Sequence, residues 1–365
     1  MCRGKDKNNL NTMQIEHDTD ASVPTTAAKD QPNFIMRGGR WGMRHPVWMT
    51  LLVVSLGFVL LNILAFTQAR AMTHFTREGK RTRRPESLSL AQKLWVLATG
   101  VGIPRPANER TPESLGLPFT CQRFQSTDGT NLEGWLIPRA QAKGIVLLFH
   151  GYASCKACLL GEARAFHDWG YTCFLVDFRG SGGSNGMVTT VGVEEAGDVA
   201  AAVQFVQAQW PGQPIILYGQ SMGSAAILRA IRVHGVRPAA VVLECPFDRL
   251  LATVENRFHA MGLPSFPAAA LIVFWGGVQH GFNGFRHNPA EYARATICPT
   301  LLLYGENDQR VTQQQAASVF ENLGGEKERH MFPGLGHEDY LATCPAFWKQ
   351  WVGDFLRRVR PAQRG

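Results

Sequence analysis

The sequence predicts an α/β fold, in which a mostly parallel sheet is covered by helices, with a helical lid insertion and an N-terminal transmembrane helix. From residue 120 onward, short apolar runs alternate with segments of helical periodicity, which is the pattern of a parallel sheet with helices on both faces. Near the N-terminus, residues 46–69 carry no charged side chain. Of the 365 residues, 45% are hydrophobic and 18% are charged. This composition excludes a wholly disordered, collagen-like or disulfide-scaffold protein.

The N-terminal region predicts a tail followed by a membrane anchor. Residues 1–45 are polar and lack periodicity, so we expect a disordered tail. The apolar core at 47–66 would form a helix of about 30 Å, the thickness of the hydrocarbon layer of a bilayer. We therefore predict a single-pass transmembrane helix over 46–69. The alternative is a cleaved signal peptide, with Ala69-Arg70-Ala71 as the cleavage site.

The basic charge of the chain belongs to the same region. Residues 1–110 contain 16 Lys and Arg against 8 Asp and Glu, whereas residues 111–365 contain 21 of each. We therefore predict no nucleic-acid partner for the globular part. Four basic residues precede the apolar segment within 27–46 and six follow it within 67–86. This difference weakly favours a cytoplasmic catalytic domain and leaves the membrane side open.

The remaining chain divides into a linker and one catalytic domain. Residues 70–110 form a basic linker with an amphipathic helix at 88–101, which lies either on the membrane surface or against the domain. The domain spans 111–365 and begins with a hairpin of strands at 121–125 and 131–136. A lid insertion lies at about 246–296, and its apolar centre is either a mobile lid or a helix packed on the core. Further strands are predicted at 145–149, 173–176, 215–218, 240–243, 300–304 and 328–332, and further helices at 157–168, 193–209, 222–234, 313–322 and 346–359.

The run Gly219-Gln220-Ser221-Met222-Gly223 is the strongest chemical signal in the sequence. It follows a predicted strand directly and opens a predicted helix, which is the context that a G-x-S-x-G nucleophile turn requires. Such a turn raises the Ser221 hydroxyl above the sheet edge. The Met222 amide, at the helix N-terminus, is then placed to donate one hydrogen bond to an oxyanion.

Two further residues complete a candidate Ser-His-Asp triad in the chain order Ser, acid, His. Asp308 follows a predicted strand, with Glu306 and Asp248 as alternative acids. His337 lies in a loop after the last strand, with His330 as a competitor inside a strand pattern. At the end of the strand at 145–149, the Tyr152 amide would supply the second oxyanion donor. We interpret His150 as structural, and Asp177 and Arg179 as a loop ion pair.

On these motifs, together with the run Asp177-Phe178-Arg179-Gly180-Ser181-Gly182, the chain resembles the α/β-hydrolase fold superfamily over roughly residues 118–360. Within it, the chain looks like a membrane-anchored member of the serine aminopeptidase/monoacylglycerol-lipase-like esterases. The resemblance implies a triad of Ser221, Asp308 and His337, with Tyr152 and Met222 as oxyanion residues and no cofactor. Tyr152-Ala153 stands where the HGGG lipases carry two glycines, which disfavours that class.

The leading functional prediction is a membrane-anchored serine hydrolase that cleaves carboxylic esters of acyl or lipid type through an acyl-enzyme. A serine aminopeptidase, thioesterase or acyltransferase on the same fold is the alternative, and a non-catalytic membrane-tethered scaffold is a third hypothesis. The predicted partners are a small ester or lipid substrate and the membrane, while the oligomeric state stays open. The eight cysteines are scattered, and Cys155-x-x-Cys158 lacks the second pair that a zinc site needs, which leaves a redox role open.

Overall fold

The computed structural model of the protein describes residues 44–82 and 88–359. The predicted tail at 1–45 falls outside these residues except for its last two positions. Of the described residues, those from Val54 onward belong to one compact unit, and residues 44–53 belong to another.

An eight-stranded sheet forms the centre of the protein, in the order β1-β2-β4-β3-β5-β6-β7-β8. The first two strands form the predicted antiparallel hairpin, β2 also runs antiparallel to β4, and strands β3 to β8 are parallel to one another. The predicted, mostly parallel sheet is therefore confirmed. The strands are β1 (Thr120–Gln125), β2 (Asn131–Ile137), β3 (Ile145–Phe149), β4 (Thr172–Asp177), β5 (Ile215–Gln220), β6 (Ala240–Glu244), β7 (Thr300–Gly305) and β8 (Lys327–Phe332).

Helices cover both faces of this sheet. Because side chains alternate along a strand, Leu147 and Leu217 contribute to one buried apolar cluster with α4 and α5, while Val146 and Ile216 contribute to another with α3 and α11. This double burial explains why the central strands are apolar along most of their length, up to the polar residues at their carboxyl ends. The helices are α1 (Arg44–Thr73), α2 (Leu90–Thr99), α3 (Leu160–Asp168), α4 (Glu195–Gln209), α5 (Met222–His234), α6 (Leu250–Ala260), α7 (Ala268–His280), α8 (Pro289–Ala293), α9 (Gln313–Asn322), α10 (Tyr340–Thr343) and α11 (Pro345–Arg358).

Helix α1 contains the predicted transmembrane segment. The stretch Pro46–Thr73 is long and apolar enough to cross a membrane, and only 6% of its most apolar window is buried within the protein. Exposure changes along the helix: Val59 and Leu60 are more than half exposed, whereas Ala65 and Ala69 are buried. The helix therefore exposes apolar side chains around Val59 and Leu60, and it packs against the rest of the protein nearer its C-terminal end.

The surface that α1 packs against is the lid insertion, which contains α6 and α7. Ala65 and Ala69 belong to the same buried apolar cluster as Ile272 and Val273 of α7. Asn62 Oδ1 accepts a hydrogen bond of 3.1 Å from Trp275 Nε1. The polar side chain of Asn62 within this apolar helix is explained by its hydrogen bond, which joins α1 to the lid insertion.

Helix α2 is the predicted amphipathic helix, shortened by two residues at each end. It begins with a capping box in which Ser89 and Gln92 satisfy each other's backbone amides. No residue of α2 is fully buried, and Leu94 and Trp95 are more than half exposed. Gln68 of α1 donates a hydrogen bond of 2.8 Å to the carbonyl of Leu97, so α2 lies beside α1.

Candidate active site

The turn between β5 and α5 has the conformation that the G-x-S-x-G motif predicts. Ser221 has φ +53° and ψ −109°, in the left-handed half of the map that non-glycine residues rarely occupy. Its amide donates a hydrogen bond of 2.8 Å to the carbonyl of Glu244 at the end of the neighbouring strand β6. Met222 is the first residue of α5, so its amide has no acceptor within the helix and is free to face a ligand.

The glycines of this turn are required by close packing. A Cβ atom on Gly223 would lie 2.3 Å from the carbonyl oxygen of Phe149, and one on Gly219 would lie 2.6 Å from the Ser224 amide nitrogen. Helix α5 therefore begins in direct contact with the end of β3. This approach brings Ser221 beside the loop that follows β3, because a Cβ atom on Gly151 would lie 3.7 Å from the Ser221 Cβ.

The predicted acid and base are hydrogen-bonded to each other. His337 Nδ1 lies 2.7 Å from Asp308 Oδ2. The other carboxylate oxygen of Asp308 accepts backbone hydrogen bonds of 2.8 Å from Arg310 and 2.9 Å from Val311. Both oxygens of this buried carboxylate therefore have fixed partners, which orient Asp308 toward the Nδ1 edge of the imidazole and leave Nε2 on the other side.

Cys245 links this pair to the serine turn and was missed in the sequence. It follows Glu244, which binds the Ser221 amide, and its Sγ lies 4.0 Å from His337 Nε2. Burial raises the pKa of this thiol well above its usual value, so it stays protonated. The sequence could have indicated Cys245, because this residue directly follows a predicted parallel strand, and binding sites in such sheets form at the carboxyl ends of the strands. Cys245, Asp308 and His337 also offer three ligand atoms within 4.8 Å of one another, the geometry of a candidate metal site.

The loop after β3, residues 150–153, is called the oxyanion loop below because it carries the predicted second oxyanion donor. Its first residue, His150, is structural as predicted: Nε2 accepts a hydrogen bond of 3.1 Å from the Phe178 amide, and Nδ1 lies 2.8 Å from the Gly151 carbonyl. Burial lowers the pKa of His150, so the ring is neutral and can accept at Nε2. Tyr152, two positions after His150, carries the backbone amide that is predicted to donate to the oxyanion.

Comparisons with known proteins identify the family of the chain. A family model described as serine aminopeptidase, S33, matches residues 140–271. The YfhR protein of Salmonella typhi is 30% identical over 235 residues, which cover 59% of this chain and 73% of that protein. The chain belongs to the α/β-hydrolase superfamily. The bem46 protein of Schizosaccharomyces pombe is 24% identical over 254 residues, covering 68% of this chain and 80% of that one. A solved esterase of Pyrococcus furiosus has the same fold, with a TM-score of 0.60, 24% identity, and coverage of 70% of this chain and 96% of that one.

The alternative acids and base in this α/β-hydrolase have other partners. Glu306 accepts a hydrogen bond of 2.7 Å from the Gly334 amide, and Asp248 accepts one of 2.8 Å from the side chain of Gln315. His330 stacks on Trp351, with ring centroids 4.7 Å apart. Among the described residues, Asp308 is therefore the carboxylate that the structure pairs with His337.

The predicted ion pair between Asp177 and Arg179 is wrong. Asp177, the last residue of β4, forms a fully buried ion pair with Lys156. Arg179 points to the other side of the loop, where it forms ion pairs of 2.7 Å with Asp198 of α4 and 2.8 Å with Asp128. A buried charge needs a partner within reach of its side chain. Asp177 and Arg179 are two positions apart, but their side chains contact different parts of the protein. Both networks stabilise the loops of the hydrolase fold.

Beneath the serine turn, the hydrolase buries two carboxylic acids. Glu244 is fully buried, accepts a hydrogen bond from Trp348 Nε1, and has its pKa raised by burial from 4.5 to about 7. Burial also raises the pKa of Glu162 well above its usual value, with the neighbouring Asp339 and Glu244 adding to the effect. Both acids are therefore protonated in the folded protein at mildly acidic pH.

These raised pKa values predict a loss of stability as the pH rises. Below about 4.5, Glu244 is protonated in both states, so its contribution to stability is fully present. As the pH rises toward about 7, only the unfolded state releases the proton, and that contribution is lost. We expect the melting temperature of the wild type to fall between pH 5 and pH 8, and that of Glu244→Gln to fall less. The exposed Glu321→Gln is the matched control; equal pH profiles for the wild type and Glu244→Gln would contradict this assignment.

The Cys155-x-x-Cys158 pair follows the oxyanion loop after Ser154: Cys155 is the N-cap of the 3-10 turn Lys156–Leu159, and Cys158 lies within that turn. The two Sγ atoms are 3.8 Å apart, with Cys155 buried and Cys158 exposed. The pKa of Cys158 falls to about 5, chiefly because the Cys155 thiol hydrogen-bonds to its thiolate. The same contact raises the pKa of Cys155. The contact between the two sulfurs therefore favours the thiolate form of Cys158.

This contrast predicts selective alkylation. At pH 6.5, iodoacetamide should modify Cys158 ahead of Cys121, which is also exposed but has a pKa raised by burial of its thiol. Peptide mapping by mass spectrometry after short exposure measures the two rates within one sample. The replacement Cys155→Ala removes the donor and should slow the reaction of Cys158, whereas equal rates at Cys158 and Cys121 in the wild type would show that Cys158 is an ordinary thiol.

Proposed function

We propose that this α/β-hydrolase is a membrane-anchored serine esterase that acts on acyl or lipid-like carboxylic esters. The observation that carries the proposal is the arrangement at the carboxyl ends of the parallel strands: Ser221 lies on a sharp turn after β5, and His337, after β8, is held by Asp308, after β7, at 2.7 Å. A nucleophile turn, a base and an oriented acid are the parts that acyl transfer needs. The esterase of Pyrococcus furiosus shares the fold, which supports the proposal.

In the proposed mechanism, Ser221 Oγ attacks the ester carbonyl carbon while His337 Nε2 accepts the hydroxyl proton. The negative charge that develops on the carbonyl oxygen is met by the amides of Met222 and Tyr152. The tetrahedral intermediate collapses, the bond to the alcohol breaks, and His337 returns the proton to the departing alcohol. Water then attacks the carbonyl carbon of the acyl-enzyme while His337 Nε2 accepts its proton. His337 returns this proton to Ser221 Oγ as the carboxylic acid leaves. Asp308 stabilises the imidazolium in both acylation and deacylation.

Membrane attachment is supported by helix α1 and by the surface around the lid insertion. The helix is long and apolar enough to cross a bilayer. Near the end of α1, exposed apolar side chains lie on α2 and α7, among them Leu94, Trp95, Phe274 and Val278. Apolar surface beside an anchor suits a substrate with an acyl chain. We expect the full chain to resist extraction from membranes by alkaline carbonate, and its release into the supernatant would contradict the anchor.

Substrate profiling tests the class of bond. We expect the purified full-length protein to hydrolyse p-nitrophenyl esters of medium acyl length at least about tenfold more efficiently than matched aminoacyl amides. Acyl thioesters and an alcohol acceptor, offered in parallel, measure thioesterase and acyltransferase activity. A clear preference for aminoacyl amides would support the serine aminopeptidase alternative, and turnover of thioesters alone would support the thioesterase.

A further inference from the structure

The side chain of Tyr152 joins three separate parts of the molecule. Its hydroxyl donates a hydrogen bond to the carbonyl of Met72, in the last turn of α1. Its ring lies beneath the guanidinium of Arg257 in α6, with 5.1 Å between the guanidinium carbon and the ring centroid. Burial raises the pKa of the phenol, so the hydroxyl stays protonated and able to donate. The oxyanion loop is thus tied to α1 and to the lid insertion by one side chain.

A second contact holds the same loop one residue further on. Arg81, which follows α1, donates a hydrogen bond of 3.1 Å from Nη1 to the carbonyl of Ala153. Ala153 has φ +51°, a left-handed conformation that a residue with a Cβ atom adopts only when its surroundings impose it. The segment after α1 therefore supports a strained position next to Tyr152.

The end of α1 can serve as a fixed support because it is itself held. The hydrogen bond between Asn62 and Trp275 and the buried contacts of Ala65 and Ala69 attach it to the lid insertion. Gln279 of α7 donates a further hydrogen bond of 2.9 Å to the carbonyl of Phe66. The Met72 carbonyl is therefore an acceptor on a packed helix, at the point where the helix meets the catalytic body.

We propose that the C-terminal end of α1, together with Arg81, positions the oxyanion loop for hydrolysis, with the Tyr152 side chain and Arg81 as positioning residues. The proposal rests on the proposed function, in which the Tyr152 amide donates to the oxyanion. An oxyanion donor acts only when it lies within about 3 Å of the charge that forms in the transition state. Loosening the loop should therefore lower kcat and leave the binding of the ground-state ester nearly unchanged.

The test compares two tyrosines of the full-length protein. Tyr152→Phe removes the hydroxyl and keeps both the ring and the backbone amide. The matched control is Tyr292→Phe, outside the oxyanion loop, which removes a hydroxyl that donates to the backbone carbonyl of Arg286 at 2.9 Å and accepts from Arg229 Nη1 at 3.0 Å. Active sites are counted with a fluorophosphonate, and kcat and KM are measured per site on a short soluble ester. Counting sites removes any contribution from unfolded protein.

We expect Tyr152→Phe to lower kcat per site by about 5- to 50-fold and to leave KM within about twofold of the wild-type value. This loss of kcat is smaller than that expected from removing an oxyanion donor altogether, because the amide is still present but less well placed. Tyr292→Phe should leave both constants unchanged. If Tyr152→Phe folds poorly, Arg81→Met can be measured instead. Arg81 is exposed, and its replacement removes the hydrogen bond to the Ala153 carbonyl in the same loop. Because both residues act on one loop, the double variant should lose less than the product of the two single losses.

Three results would overturn the proposal. They are an unchanged kcat per site in Tyr152→Phe, the same loss in Tyr292→Phe, and independent multiplicative effects of Tyr152→Phe and Arg81→Met. Failure of the proposed function would look different. Wild-type protein that neither hydrolyses esters nor takes the fluorophosphonate label would overturn the esterase itself, whereas an active wild type with an equally active Tyr152→Phe would overturn the positioning role alone.

Discussion

Replacing Ser221 with alanine is expected to reduce ester hydrolysis to the background rate, a loss of roughly 10⁶-fold where the assay can follow it. The reason is the position of Ser221 on the turn between β5 and α5, where φ is +53° and the side chain stands at the carboxyl edge of the sheet. Alanine keeps the backbone and the oxyanion amides but provides no nucleophile. The same variant should lose all covalent labelling by a fluorophosphonate.

The exposed serine Ser114 offers a matched control, since its hydroxyl only bonds the nearby Thr111 carbonyl. Ser114→Ala should retain wild-type hydrolysis and labelling. Thermal unfolding of the Ser221→Ala protein should stay close to that of the wild type, which separates lost chemistry from lost folding. Persistent turnover in a folded Ser221→Ala protein would eliminate Ser221 as the nucleophile.

Replacing Asp308 with asparagine is expected to lower kcat on the order of 10³–10⁴-fold. The two backbone amides of Arg310 and Val311 already bind Oδ1, so an asparagine at this position would keep its carbonyl oxygen there. Its NH₂ group would then face His337 Nδ1 where a carboxylate oxygen now accepts. This favours the imidazole tautomer with the proton on Nε2, which cannot accept the proton of Ser221.

The measurement for Asp308→Asn is kcat per labelled site across a pH series. Because the change acts through the histidine, activity should recover in part at high pH, where hydroxide can take over proton removal. The surface variant Asp168→Asn, which loses an exposed ion pair with Arg164, is expected to match the wild type. Activity of Asp308→Asn within tenfold of the wild type would point to a different acid.

Much of the fold follows from local patterns in the sequence. The strands Ile145–Phe149 and Ala240–Glu244 are buried on both faces, so the runs at 145–149 and 240–243 are continuously apolar and easily recognised as parallel strands. The serine turn is equally local, because glycines are needed where α5 begins against β3. Asp308 and His337 follow β7 and β8, and parallel strands bring their carboxyl ends to one edge.

Other features depend on tertiary contacts that no local pattern encodes. The buried partner of Asp177 is Lys156, which lies in a different loop, so the nearby Arg179 was the wrong choice. The 4.0 Å separation between Cys245 and His337 requires the order of β6, β7 and β8. The attachment of Tyr152 to the end of α1 joins residues 80 positions apart. Hydropathy predicts a membrane segment in α1 and gives no sign that the last turn of this helix contacts Tyr152.

In the proposed mechanism, one hydroxyl, on Ser221, is the nucleophile of this protein. The most direct measurement is mass spectrometry of the full-length wild type after treatment with a fluorophosphonate, followed by digestion and mapping of the modified residue. We predict one phosphonyl group per protein, located on Ser221, with its formation slowed by an ester substrate. An adduct on another residue such as Ser224 or Cys245, or an unmodified and properly folded protein, would show that Ser221 is not the nucleophile.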